Sequence, residues 1–186
     1  MGGWSTKWAV AAVVGTALIY YRNAFILLYL AGGAAATIAA KSLKLLLKQA
    51  RPSGATKYDP GMPSSHATNL FYLAAGLAQP WYYGGDALAA GGVLAAATVL
   101  AALRVLGGQH TVPQVVAGAA LGSGMAVGWW ELFVPAARPS VEGLVEAVGD
   151  RGMLGLAALL LAYILFSLGP LEAHYNAQFK KGAPDD

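Results

Sequence analysis

Three short clusters hold most of the chemically able side chains of an otherwise oily chain. They are Lys44 with Arg51-Pro52, then Pro63-Ser64-Ser65-His66, then Arg104 with His110. Arginine can grip two phosphate oxygens at once through parallel N–H donors, and lysine adds a compact positive charge. A serine at a helix start sets a hydroxyl beside free backbone amides, which together make an anion site. Two imidazoles are the natural pair for acid–base or acid–nucleophile work near neutral pH. These are the parts needed to hold and attack a phosphate. The segments between the clusters carry almost no charge, and ionisable groups at membrane depth mark functional sites. The residues therefore point to a membrane phosphatase with a lipid phosphate as substrate.

Each cluster has a structural reading beside the functional one. Lys41, Lys44, Lys48 and Arg51 fall at helical spacing and form one cationic stripe. Lys41 and Lys48 serve equally well as charged flanks that reach out of a membrane boundary. Arg51 is different, because Pro52 ends the helix and turns the arginine into the following loop. Pro63-Ser64 has the composition of a helix start, so Ser64 Oγ and the Ser65 amide are candidates to bind a phosphoryl oxygen. His66 enters from the first turn of that helix; taken alone, it is also a plain interfacial histidine. His110 precedes Thr111-Val112-Pro113, a second helix start, and His174 in the tail has no catalytic company.

The elements that must carry these groups are helices. The chain has 186 residues, 57% hydrophobic and 11% charged, with mean hydropathy +0.53. A soluble domain carries about 25% charged residues. The expected architecture is all-α, an integral membrane bundle of about six transmembrane helices forming one domain over residues 1–186. Its core is residues 24–134, and residues 172–186 form a polar tail. The apolar runs are Trp8–Tyr21, Ala24–Ala40 continuing to about Gln49, Pro63 or Ser64 to Leu77, Ala87–Leu103, Pro113–Val134 and Gly152–Leu171. Residues 135–151 are polar enough to predict a loop with a short surface helix. Alternation of spans then puts the end of the second helix, the start of the third, the end of the fourth and the start of the fifth on one face. All three clusters lie on those ends. Most basic residues fall on the same face, which the positive-inside rule assigns to the cytoplasm or stroma.

Several function classes drop out. With no cysteine there is no thiolate nucleophile, no disulfide and no Cys-based metal site. No Asp/Glu/His cluster has metal-ligand spacing, so no metal or other cofactor is expected. A net charge of +3 is too small to argue for nucleic acid. The partners expected are the lipid substrate and the bilayer.

Lys44 followed by six residues and Arg51-Pro52, then Pro63-Ser64-Ser65-His66, then Arg104 followed by five residues and His110, resembles the type-2 phosphatidic acid phosphatase superfamily. The resemblance covers about residues 24–134. It implies that His110 is a nucleophile forming a phosphohistidine, and that His66 is the general acid for the leaving alkoxide. It also implies that Lys44, Arg51, Ser64, Ser65 and Arg104 bind the phosphate. Three positions depart from the family pattern. Leu103 stands where serine is usual, and Ser65 where glycine is commonest. Gln114 stands where an aspartate normally supports the nucleophile. Gln114 can orient the ring through its carbonyl, with less charge stabilisation, and on this reading Gln114→Asp leaves activity equal or higher. Asp59 is the one candidate to lend a carboxylate. Gly61-Met62-Pro63-Ser64-Ser65-His66 with His110-Thr111 and Gln114 looks like the dolichyl diphosphatase branch and the plant plastid lipid phosphate phosphatases of the epsilon type. The stretch from Arg51 to His66, with Leu103-Arg104, is closer to the plastid type. The resemblance thus implies hydrolysis of phosphatidate to diacylglycerol in a plastid membrane. The alternatives are a polyprenyl (dolichyl) diphosphate phosphatase of the endoplasmic reticulum and a non-catalytic lipid-phosphate binder or transporter.

Overall fold

A computed structural model of the chain describes residues 16, 20–21, 23–57, 59–79 and 86–180, with side chains described to about residue 159. Every regular element among them is helical. The helices are α1 (Ala24–Leu47), α2 (Ser65–Leu77), α3 (Ala87–Leu106), α4 (Val112–Gly128) and α5 (Val134–Lys180), with one π-helical turn, Trp129–Phe133, joining α4 to α5. Three runs are long and apolar enough to cross a membrane: Ala24–Leu47, Ala87–Leu106 and Val112–Leu156. The expected first run, Trp8–Tyr21, lies almost wholly outside the described residues. With 13 residues, α2 is about 20 Å long, shorter than the ~30 Å hydrocarbon layer.

Local chemistry sets the ends of these helices. Lys48 takes a left-handed backbone, φ 48°, and its amide returns to the Lys44 carbonyl, which closes α1 and frees Gln49–Arg51 to turn back. At the start of α2, Ser64 caps the helix: its Oγ accepts the Ala67 amide. Asp86 caps α3 through the amides of Leu88 and Ala89. Gly107 and Gly108, the latter at φ 66°, end α3 and leave only a short turn before α4.

Residues 135–148, expected as part of a loop with a short surface helix, are helical throughout, and the break comes at Gly149 (φ 61°, ψ −177°). Pro135 would normally stop the helix, because its ring collides with the carbonyl four residues back. That carbonyl belongs to Glu131, inside the π-helical turn, where the wider winding changes the hydrogen-bond register. The residues of the expected tail from 172 to 180 also continue the helix.

Residues 31–134 form one compact unit, which holds every candidate site residue; residues before 31 and from 135 to 180 belong to another. Within the first unit α2 packs chiefly against α4, and α3 packs on both. Glycines let α2 and α4 touch backbone to backbone. A Cβ at Gly118 would come 2.5 Å from the Ser64 carbonyl, and one at Gly122 would strike the Thr68 carbonyl. Below this contact Tyr72, fully buried, packs with Ala36 and Ala126 and lies against Gly32. Close helix contact through small residues is the usual solution in membranes, where apolar burial gives little drive. Here it sets the starts of α2 and α4 side by side.

Candidate active site

Four chain segments meet at one end of this unit: the close of α1, the starts of α2 and α4, and the close of α3. Backbone bonds tie them together. The Ser64 amide donates to the Gln114 carbonyl (2.9 Å) and the Gly61 amide to the Gln49 carbonyl (2.7 Å). The amides of Gln109 and His110 both donate to the Arg104 carbonyl, at 3.0 and 3.2 Å. The common face inferred from the alternation of spans is therefore a single site.

His110 lies just outside α4 and is 2% exposed. Arg51 Nη1 lies 2.9 Å from its Nε2, and Gln114 Oε1 lies 3.2 Å from its Nδ1. The partners decide the tautomer. A guanidinium can only donate, so Nε2 must carry the lone pair and Nδ1 the proton. The orientation of Gln114 follows from its other contacts. Its Nε2 donates to the Ala50 carbonyl (2.8 Å) and to Gln49 Oε1 (3.1 Å), so Oε1 faces His110. The same Oε1 accepts the Thr111 amide at 3.2 Å. Gln114 is 1% exposed, and Gly61 packs against its amide so closely that a Cβ there would lie 2.5 Å from Nε2.

The stripe of cations divides. Lys41 and Lys48 point outward, while Lys44 and Arg51 are buried, with side chains 5% and 6% exposed. Lys44 Nζ donates to Asp59 Oδ2 and to the Pro60 carbonyl, both at 2.7 Å. Arg51 donates from Nη2 to Asp59 Oδ1 (2.8 Å), from Nε to the Asp59 carbonyl (2.9 Å) and from Nη1 to the Gln109 carbonyl (2.9 Å). Asp59 thus meets the two cations and not His110, so the carboxylate expected to support the ring directly does not touch it. Arg104 occupies the last turn of α3, and its Nε is buried with no hydrogen-bond partner among the described residues. His66 is exposed in the first turn of α2, within electrostatic reach of Arg104, Lys57, Lys44 and Arg51. Ser64 is fully buried as the α2 cap; its hydroxyl oxygen is taken by Ala67, which leaves the O–H to donate. Ser65, half-buried, opens the helix, where backbone amides lack internal partners.

Burial, followed by the neighbouring Arg51 charge, pushes the His110 imidazole down to about 4, although its bond to Gln114 works the other way. Burial opposes ionisation of Asp59, but its hydrogen bond to Lys44 and the charges of Lys44 and Arg51 outweigh that and hold the carboxyl below its usual range. The resting site is therefore three cations, one carboxylate and an uncharged His110. Among the described residues no three His, Asp or Glu side chains gather closely enough to hold a metal ion.

The residues that a reading of motifs missed are supports. Gln49 and the Ala50 carbonyl orient Gln114, and the Pro60 and Gln109 carbonyls hold Lys44 and Arg51. Backbone carbonyls leave no trace in residue identity. Asp59 left one: it is the only acidic residue before Asp86, set between the cations of the first cluster and the second cluster.

The described residues thus combine three runs long and apolar enough to cross a membrane with buried cations gathered near two imidazoles, groups suited to an anionic ligand. The chain belongs to the PAP2 superfamily, whose model matches residues 24–138. It is 32% identical over 167 residues to lipid phosphate phosphatase epsilon 2, chloroplastic, of Arabidopsis thaliana, across 84% of this chain and 58% of that protein. To lipid phosphate phosphatase epsilon 1, chloroplastic, of the same plant it is 30% identical over 142 residues, across 74% of this chain and 51% of that protein. The chain thus spans a little over half the length of these relatives. No solved structure gives a significant match.

Proposed function

We propose that the chain is a metal-independent lipid phosphate phosphatase that hydrolyses phosphatidate to diacylglycerol and phosphate through a phosphohistidine, in a plastid membrane and within a bundle of about six spans. The observation that carries this is the state of His110: a neutral ring, oriented at Nδ1 by Gln114, with its Nε2 lone pair on Arg51 and the charges of Lys44 and Arg104 also acting on the ring. A lone pair aimed at an anion site is what phosphoryl transfer to nitrogen requires. Arg104 Nε, buried and without a hydrogen-bond partner among the described residues, gives a second reason to expect an anion there. The family and the names of the two relatives support the lipid phosphate as substrate.

In this mechanism Lys44, Arg51 and Arg104 hold the phosphoryl oxygens, with the Ser64 hydroxyl and Ser65 amide at the helix start. His66 takes a proton as the anionic headgroup offsets the cations around it; His110 Nε2 then attacks phosphorus as the bond to the lipid oxygen breaks, and His66 gives that proton to the departing alkoxide. Diacylglycerol leaves. Neutral His66 then takes a proton from water, whose oxygen attacks phosphorus and displaces His110. Phosphate leaves, and both histidines return to their starting states. His110→Ala should abolish phosphate release in mixed micelles containing EDTA while thermal stability in detergent is kept. Turnover retained by that variant would refute the nucleophile assignment. Faster release from a polyprenyl diphosphate than from phosphatidate would move the chain to the diphosphatase reading. Binding of phosphatidate without phosphate release would make it a lipid-phosphate binder.

A further inference from the structure

Four of the five N–H donors of Arg51 are used inside the protein, and Asp59 takes two of them. The Asp59 carboxylate accepts from Nη2 and its own backbone carbonyl from Nε, so one residue grips a whole edge of the planar guanidinium. That grip leaves Nη1 a single direction to face, where it meets the Gln109 carbonyl and His110 Nε2. The second carboxylate oxygen takes Lys44. Lys44 and Arg51 are both buried and repel one another, so an anion between them is needed to keep both in place.

We propose that Asp59 is a positioning residue for His110, acting through Arg51. The clamp fixes Nη1 against Nε2, and that contact keeps Nε2 free of its proton while Gln114 retains the proton on Nδ1. An arginine free to swing would leave Gln114 alone to hold the tautomer, and a share of the rings would take the proton on Nε2, where the lone pair needed for attack is lost. The supporting carboxylate therefore stands on the opposite side of the ring from Gln114, one guanidinium away. When a phosphoryl group enters, Nη1 passes from Nε2 to a phosphoryl oxygen and the lone pair is released. This last step rests on the phosphatase reading; the link from Asp59 to the His110 tautomer does not.

The test uses the full chain in detergent, as wild type, Asp59→Asn and Asp59→Glu, with ¹⁵N-labelled histidine read by NMR alongside steady-state kinetics on phosphatidate. Asparagine keeps the shape but offers one acceptor for two cations and turns an N–H toward one of them. Wild type should show His110 with the proton on Nδ1. Asp59→Asn should show a mixture of tautomers and a kcat lower by about 10²-fold, the scale of a misplaced reacting group, with KM within about threefold. Asp59→Glu restores the charge and should recover kcat to within about tenfold of wild type. An unchanged tautomer in Asp59→Asn would overturn the proposal, as would a rise in KM with kcat unchanged. Loss of the folded protein in both variants would overturn it in favour of a purely structural role. Wild type that releases no phosphate would defeat the phosphatase reading alone, since the tautomer comparison would still report on Asp59.

Discussion

At the scale of single residues, Gln114 shows how the partners of a side chain add to what a motif says of it. The motif marked it as a weaker substitute for aspartate, with Gln114→Asp expected to keep or raise activity. The geometry argues for the opposite outcome. The amide donates to the Ala50 carbonyl and to Gln49 Oε1, and a carboxylate one methylene shorter can do neither. Gln114→Asp should therefore destabilise the protein by about 2–4 kcal/mol, the cost of buried acceptors left facing a charge. Phosphate release should fall as the His110 ring loses its orientation. Melting in detergent together with the phosphate assay measures both, and a variant as stable and active as wild type would show that these contacts carry no weight. The state of His110 makes a second prediction. Its ring should remain neutral down to about pH 4, visible as imidazole NMR shifts that stay constant from neutral pH to the start of that transition. The sign for stability follows from which state binds the proton. An unfolded histidine binds it near pH 6.5 and the buried ring does not, so stability falls as pH drops from there toward 4, by at most roughly 3 kcal/mol. Asp59 adds to the loss in the same direction at still lower pH, as its carboxyl is protonated more readily when unfolded. Titration of His110 near 6.5 in the folded protein would contradict this account.

At the scale of elements, the helix boundaries near the site were legible because charge and proline punctuate them. The close of α1 beside Lys48, the capped start of α2 at Ser64, and α3 over Ala87–Leu106 all fall within a few residues of the positions read from sequence. The convergence of the three clusters was legible for the same reason, since apolar runs read as alternating spans send those four ends to one face. What was not legible was the helical course of residues 135–148, because a π-helical turn beside Pro135 has no signature in hydropathy. The backbone contact between α2 and α4 was equally hidden: a count of glycines does not tell which ones face a neighbour. Two of them separate cleanly in the structure. A Cβ at Gly122 meets the Thr68 backbone carbonyl, which cannot move aside, whereas a Cβ at Gly124 meets nothing. Gly122→Ala should cost about 2 kcal/mol through overpacking and lower phosphate release, because the starts of α2 and α4 are pushed apart. Gly124→Ala should be neutral or slightly stabilising. Equal melting temperatures for the two variants in detergent would show that the helices do not meet as described.

At the scale of the whole molecule, the outward faces of the helices are apolar to their ends. Leu46 is 77% exposed and Leu106 81%, and each lies within a few residues of a buried or half-buried site cation, Lys44 or Arg104. Exposed leucines in such numbers need lipid rather than water around them. The cations therefore stand where the apolar surface gives way to the polar loops, and on the proposed reading that is where the phosphate of a bilayer lipid would meet them. If the substrate is the lipid phosphate proposed above, it need not leave the membrane to reach His110, since its headgroup could enter while its chains remain among lipids. Such a site meets its substrate in two dimensions, so the rate should follow the mole fraction of phosphatidate in a mixed micelle rather than its bulk concentration. Adding nonionic detergent at constant total phosphatidate should lower the initial rate roughly in proportion to the dilution. A rate that follows bulk concentration alone would mean that phosphatidate is taken from water, and the leucines beside Lys44 and Arg104 would then have no part in bringing it to the site.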